Sequence, residues 1–106
     1  MSLSITPDAL IRLENLRQER KFAGERFYPG APTEEIRSTC ELRVNEFLSD
    51  VVSLLQNGTE RENIFAKVRV LIEIFRHDDT EEREKVGDYI NRSMHIIGLD
   101  DWTEHV

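Results

Sequence analysis

Cys40 is the only cysteine of the sequence and therefore its only candidate thiol nucleophile. It lies between Ile36 and Val44 at helical spacing, on a stripe of apolar residues. No histidine is near it in sequence, and an apolar environment raises the pKa of a thiol and makes it unreactive. We therefore expect Cys40 to be a buried and inert side chain. A single cysteine cannot form an internal disulfide, which fits a reducing compartment.

Residues 77–82 hold a second group of side chains that are able to bind metals: His77, Asp78, Asp79, Glu81 and Glu82. At a junction between two helices, however, aspartate is preferred as a helix cap and histidine suits a helix C-terminus. The sequence also lacks an HExxH motif, paired CxxC motifs and the acidic spacing of a calcium loop. We therefore predict that the protein binds no metal and uses no cofactor.

Paired carboxylates carry no catalytic signal in this chain. With 21 acidic residues, such pairs arise by chance at many places. The sequence contains no phosphate-binding glycine motif and no G-x-S-x-G elbow. It therefore predicts no catalytic residues and a protein that is not an enzyme.

The net charge of −7 is concentrated in two segments. Residues 34–58 have two basic and five acidic groups, and residues 80–106 have three basic and seven acidic groups. An acidic chain is poorly suited to DNA or RNA, because binding to the phosphate backbone depends on Lys and Arg. An acidic surface can instead attract a basic protein partner. The alternative is a surface that only keeps the protein in solution.

Capping signals and apolar periodicity predict four helices, near residues 6–20, 34–56, 60–77 and 80–97. Thr6 and Thr33 are predicted N-caps, and Thr59 with Glu62 is predicted to form a capping box. Either Asp79 or Thr80 caps the fourth helix. The predicted partner-binding residues lie on the polar sides of helices two and four: Glu34, Glu41, Glu81, Glu82, Glu84 and Asp88.

Residues 64–75, with the sequence IFAKVRVLIEIF, are predicted to form the central helix. Their apolar side chains cover most of the helix circumference, and Val70 and Ile74 extend the buried face to a further side. Ile72 and Phe75 belong to the main apolar face. A strand is the alternative, because apolar residues also alternate between positions 68 and 74.

The connection between the first two helices, residues 21–32, contains two glycines and two prolines and is long for a small helical domain. Its rings, Phe22, Phe27 and Tyr28, either cover one end of the core or form a binding surface. A candidate pocket would combine Phe27 and Tyr28 with Trp102, the only tryptophan.

Two stretches carry a resemblance to a known family. The first is Arg26-Phe27-Tyr28-Pro29-Gly30, and the second runs from Asp79 to Tyr89 and continues to Ile96-Ile97-Gly98-Leu99. Together they resemble a bacterial family of small helical proteins of unknown function, over roughly Thr6 to Trp102. The resemblance implies a stand-alone all-α bacterial protein and supplies no catalytic residues.

The sequence thus predicts an all-α fold, an antiparallel four-helix bundle with a long aromatic loop, in one domain of residues 1–106. We expect a cytoplasmic location, because no apolar run approaches the roughly 20 residues of a membrane span and MSLSITPDAL lacks the pattern of a secretory signal. The predicted function is a non-catalytic protein–protein interaction module, such as an immunity or anti-toxin type neutraliser of a basic partner. The alternative is a small-molecule-binding protein or an enzyme with a pocket near Phe27–Gly30. The oligomeric state is left open.

Overall fold

The computed structural model of the protein describes residues 2–78 and 80–106. Its four α-helices are α1 (Pro7–Gln18), α2 (Glu34–Asn57), α3 (Arg61–Ile74) and α4 (Thr80–Ile96), and a 3-10 helix follows at Trp102–Glu104. The described residues form no strands, only isolated bridges between Leu3 and Thr59 and between Glu25 and Tyr28. The all-α prediction is confirmed, and a strand at residues 68–74 is ruled out. Within the described ranges, no helix combines the length and apolarity needed to cross a membrane.

Local signals determine where α1 and α2 begin and where α2 ends. The hydroxyl of Thr6 accepts a hydrogen bond from the backbone N–H of Ala9 at 3.1 Å, and that of Thr33 accepts one from Ile36 at 3.1 Å. Both threonines therefore act as the predicted N-caps. Gly58 follows α2 with φ of 77°, a left-handed conformation that glycine adopts without steric cost.

The predicted capping box at the start of α3 is wrong. Thr59 pairs through its backbone with Leu3, and its hydroxyl accepts a hydrogen bond from the Asn63 side chain at 3.1 Å. The helix begins later, at Arg61. The bridge between Leu3 and Thr59 joins residues far apart in the sequence, so a local pattern could not predict it. Of the two predicted caps for α4, Asp79 lies outside the described residues and Thr80 is the first residue of the helix.

The core lies between the four helices and is formed by one contiguous cluster of buried apolar side chains. Helices α2 and α4 each contact the three other helices, whereas the main contacts of α3 are with α2 and α4. Fully enclosed members of the cluster include Leu13, Val44, Leu48, Ile64, Val68 and Met94. Burial of such side chains is the main favourable term in folding.

Helix α3 is less enclosed than its composition predicts. Val70, Ile72 and Ile74 are 57%, 40% and 44% exposed, so the predicted buried face does not extend to them. Ile36, predicted on the buried stripe of α2, is 42% exposed. Because only two helices cover α3 extensively, part of its apolar circumference is left open to solvent.

The connection between α1 and α2 is anchored by polar groups as well as by rings. Lys21 is fully buried, and its ammonium donates hydrogen bonds to the carbonyl oxygens of Arg17 at 3.0 Å and Glu19 at 2.9 Å. Phe22 stacks against Phe75 with ring centroids 5.9 Å apart. These contacts hold the chain against the core as it leaves α1, and further along the connection Tyr28 reaches Glu82 in the first turn of α4.

Candidate functional site

An acidic cleft lies where the start of α2, the end of α3 and the start of α4 meet. It has a volume of about 250 Å³ and is lined by Pro32, Ile36, His77, Asp78 and Glu82. An adjoining depression of about 270 Å³ shares Ile36 and Asp78 and adds Glu35, Thr39 and Cys40. We refer to the two together as the acidic cleft. The N-cap Thr33 positions one wall of the cleft, because it starts the helix that carries Ile36 and Cys40.

Glu82 is the central side chain of the acidic cleft and is only 3% exposed. Its Oε1 accepts a long hydrogen bond of 3.4 Å from the Tyr28 hydroxyl. Its Oε2 is buried and has no hydrogen-bond partner among the described residues. A buried carboxylate oxygen left in this state is costly, because desolvation is not offset by a donor.

The electrostatic environment of the acidic cleft is negative. Burial, followed by the charges of Asp78 and Glu82, raises the pKa of the Cys40 thiol from 9.0 to about 11. Burial and then the charge of Glu82 raise the pKa of Tyr28 well above its usual range. Both groups are therefore held neutral at pH 7. The cleft offers carboxylate acceptors to a cationic ligand, and its thiol is a poor nucleophile.

The prediction that Glu82 lies on a solvent-facing acidic surface is wrong. Glu82, Val86 and Tyr89 follow one another at positions i, i+4 and i+7, so they share the inner side of α4. Val86 and Tyr89 are each 2% exposed. This spacing was the sequence signal for a buried carboxylate, because a glutamate in register with an apolar stripe turns towards the core.

Glu34 and Glu41 are predicted partner-binding residues that the structure engages in ion pairs within the chain. Glu34 pairs with Arg20 at 3.0 Å and with Arg37 at 2.8 Å. Glu41 accepts a hydrogen bond from the backbone N–H of Lys21 at 2.8 Å and pairs with Arg37 at 3.2 Å. These contacts fasten the chain between α1 and α2 to the outside of α2. Both carboxylates are therefore neutralised within the chain, and their predicted role in binding a partner stays a prediction.

The remaining predicted residues form a solvent-facing strip on α4. Glu81, Glu84 and Asp88 are exposed, lie within one side of the helix and have no ion pair among the described residues. Glu81 directly precedes Glu82, so the strip begins beside the acidic cleft. We call these three residues the acidic strip.

The model of a family described as Domain of unknown function (DUF4844) matches residues 4–105 of the chain. The chain belongs to this family. The resemblance to a family of helical proteins of unknown function is confirmed to that extent. No curated protein and no solved structure is significantly similar to the chain. The geometry of its own side chains therefore carries the functional argument for this DUF4844 protein.

The predicted pocket of Phe27, Tyr28 and Trp102 is wrong, because the three rings line no common cavity in the described structure. Phe27 is 92% exposed and Tyr28 is 8% exposed. Trp102 instead lines a groove between α3 and α4, with its indole N–H donating to the Asn91 side chain at 3.1 Å. Tyr28 contacts the side of α4 that carries Glu82, whereas Trp102 lies on the side that carries Gly87 and Ile90.

Potential metal ligands come together at the C-terminal turn of the DUF4844 chain. Ligand atoms of Asp101, Glu104 and His105 lie within 4.8 Å of one another. The Oδ2 of Asp101 already contacts Nε2 of His105 at 3.1 Å and pairs with Arg61 at 3.8 Å. The group is largely exposed, so this geometry is that of a surface ion-pair cluster.

Proposed function

We propose that the protein is a non-catalytic protein–protein interaction module that accepts a basic side chain of its partner in the acidic cleft. The observation that carries the proposal is the Oε2 atom of Glu82, which is buried without a hydrogen-bond partner among the described residues, on a side chain that lines the cleft. Native proteins rarely leave such a group unsatisfied, and the exceptions call for a functional explanation.

A lysine or arginine side chain is the complementary ligand. Its N–H groups would donate to Oε2 of Glu82, and the neighbouring carboxylate of Asp78 adds attraction for the same charge. Charge-assisted hydrogen bonds of this kind are stronger than neutral ones, particularly where water is excluded. The apolar side chains of Pro32 and Ile36 can pack against the aliphatic stem of the incoming residue.

The acidic strip supports the same proposal at longer range. The carboxylates of Glu81, Glu84 and Asp88, which have no ion pair within the described part of the chain, attract a basic surface before contact, and this speeds association at low salt. A neutraliser that masks a basic effector is the specific form of this function that we favour. The raised pKa of Cys40 supports a role without catalysis, because the thiolate is the reactive species.

A comparative pull-down tests the proposal. Wild type, Glu82→Gln and Glu84→Gln serve as baits in one host lysate, and the captured proteins are quantified by mass spectrometry. We expect basic proteins that wild type captures and Glu82→Gln loses. Glu84→Gln should still capture them, in a slightly smaller amount, because it removes one of the three charges of the acidic strip and leaves the acidic cleft intact. Glutamine keeps the shape of the side chain and removes its charge, so the loss would report the carboxylate. An identical set of captured proteins for all three baits would refute the proposal.

Three broader features of the protein belong to the proposal. An antiparallel arrangement of the helices is supported for α2 and α3, which contact each other across the short connection of residues 58–60. A single domain is supported by the contiguous core cluster, which draws on all four helices. A cytoplasmic location is supported by the free, buried Cys40.

A further inference from the structure

A groove lies between α3 and α4 and is lined by residues of both helices and by Trp102. Its volume is about 460 Å³, within the range of small-molecule sites. It shares no lining residue with the acidic cleft. The apolar part of its lining consists of Ile72, Phe75, Val86, Gly87, Ile90 and Trp102.

The rim of the groove carries a net positive charge, although the chain as a whole is acidic. Its charged residues are Glu73, Arg76 and Arg83, and Glu73 is neutralised by Arg76 at 3.3 Å. Arg83 donates only to neutral oxygens among the described residues, the carbonyl of Arg76 at 3.4 Å and the hydroxyl of Thr80 at 3.1 Å. One guanidinium is thus left at the groove without a carboxylate partner in the described part of the chain.

Gly87 keeps the groove open at a cost to the helix. It lies inside α4, where glycine destabilises a helix by roughly 0.5–1 kcal/mol relative to alanine. A Cβ atom added at this position would meet nothing within 4 Å, so close packing does not require glycine. The space that a side chain would occupy belongs to the groove instead.

From these observations we propose that the groove binds a free aliphatic carboxylate. The apolar chain would lie over Gly87 and Ile90 beside Trp102, and the carboxylate would meet the guanidinium of Arg83. Arginine recognises a carboxylate through two parallel N–H donors, which fixes the head group as well as attracting it. This site goes beyond the proposed interaction with a basic partner and does not depend on it.

Trp102 fluorescence measures the binding directly, because the chain has one tryptophan and it lines the groove. The full chain is titrated with decanoate and decyltrimethylammonium below their micellar concentrations, and with decanol below its solubility limit. We expect saturable binding of decanoate, with affinity at least about tenfold higher than that of decanol and no binding of the cation. Equal affinity for decanoate and decanol, or no saturable response to decanoate, would overturn the proposal.

Four variants locate the site. Arg83→Gln should weaken decanoate binding by about tenfold, whereas Arg43→Gln, which removes an equal charge from the exposed side of α2, should not weaken it. Gly87→Leu fills the groove from a position with free space and should abolish binding, while Gly87→Ala should largely retain it. Urea unfolding confirms that each variant folds. Undiminished binding by Gly87→Leu would show that decanoate binds outside the groove and would contradict the proposal. Glu82→Gln should bind decanoate as wild type does, so this test is independent of the proposed interaction with a basic partner.

Discussion

The hydroxyl of Tyr28 contacts Oε1 of Glu82 at 3.4 Å and leaves Oε2 of the same carboxylate buried without a partner among the described residues. The connection between α1 and α2 therefore positions the carboxylate without satisfying it. A half-satisfied buried charge costs stability, and functional sites are where proteins tolerate that cost. This relationship underlies the proposed interaction with a basic side chain.

Glu82→Gln should leave the free energy of unfolding unchanged or raise it by about 1 kcal/mol, because a buried amide is less costly than a buried carboxylate without a strong donor. Urea titration at pH 7 measures the change, and the exposed Glu84→Gln serves as the control, with an effect within about 0.5 kcal/mol. A loss of more than about 2 kcal/mol in Glu82→Gln would show that the carboxylate is needed for folding.

Phe75→Ala should cost about 3–5 kcal/mol of stability, because it removes a ring that is 2% exposed and stacked on Phe22. Phe27→Ala, at a position that is 92% exposed, is the matched control and should change stability by less than about 0.5 kcal/mol. Similar losses for both variants in urea titration would contradict the burial described for the two rings.

Cys40 should react with a thiol reagent on the order of a hundredfold more slowly in the native protein than in the unfolded chain. The side chain is 4% exposed, and burial with the nearby carboxylates raises its pKa to about 11. Absorbance of the released reagent anion gives both rates, with urea-unfolded protein as the reference. Rapid labelling of the native protein would reopen Cys40 as a reactive group.

Burial lowers the pKa of the Lys21 ammonium from 10.5 to about 8, so its effect on stability should depend on pH. Between these two pH values the lysine is protonated in the unfolded chain and largely deprotonated in the folded chain. Because the unfolded chain then binds more protons, the free energy of unfolding increases as the pH rises. From pH 7 to pH 10, the free energy of unfolding of wild type should therefore increase relative to that of Lys21→Met. Comparing the two proteins at each pH cancels the opposite trend from Cys40, whose pKa is raised in the fold. A difference independent of pH would contradict the burial of a titrating Lys21.

The helices could be predicted from sequence because short-range signals specify their ends. Thr6 and Thr33 cap α1 and α2 through hydrogen bonds to residues three positions ahead, and Gly58 supplies the left-handed residue after α2. Such contacts join residues that are only a few positions apart in the sequence, so a local pattern is enough to predict them. Thr59 failed as a cap because its backbone pairs with the distant Leu3.

Burial could be predicted less well because it depends on which helix covers which face. Val70 and Ile74 have the side chains of a core position, yet they lie on a side of α3 that faces solvent. The prediction for Glu82 was wrong in the opposite direction. Glutamate is usually exposed, but Glu82 lies in helical register with the buried Val86 and Tyr89 and is itself buried. Residue type therefore predicted the wrong burial for all three residues, and helical register predicted the correct burial only for Glu82.

The most direct test of the central claim is an NMR titration of the ¹⁵N-labelled protein with Nα-acetyl-lysine methylamide and Nα-acetyl-arginine methylamide, which are mimics of a basic side chain. We predict saturable chemical-shift changes at the backbone amides of Ile36, Asp78 and Glu82, which are lost in Glu82→Gln and retained in Glu84→Gln. Shifts scattered over the acidic strip alone, or identical shifts in wild type and Glu82→Gln, would contradict the role of the acidic cleft.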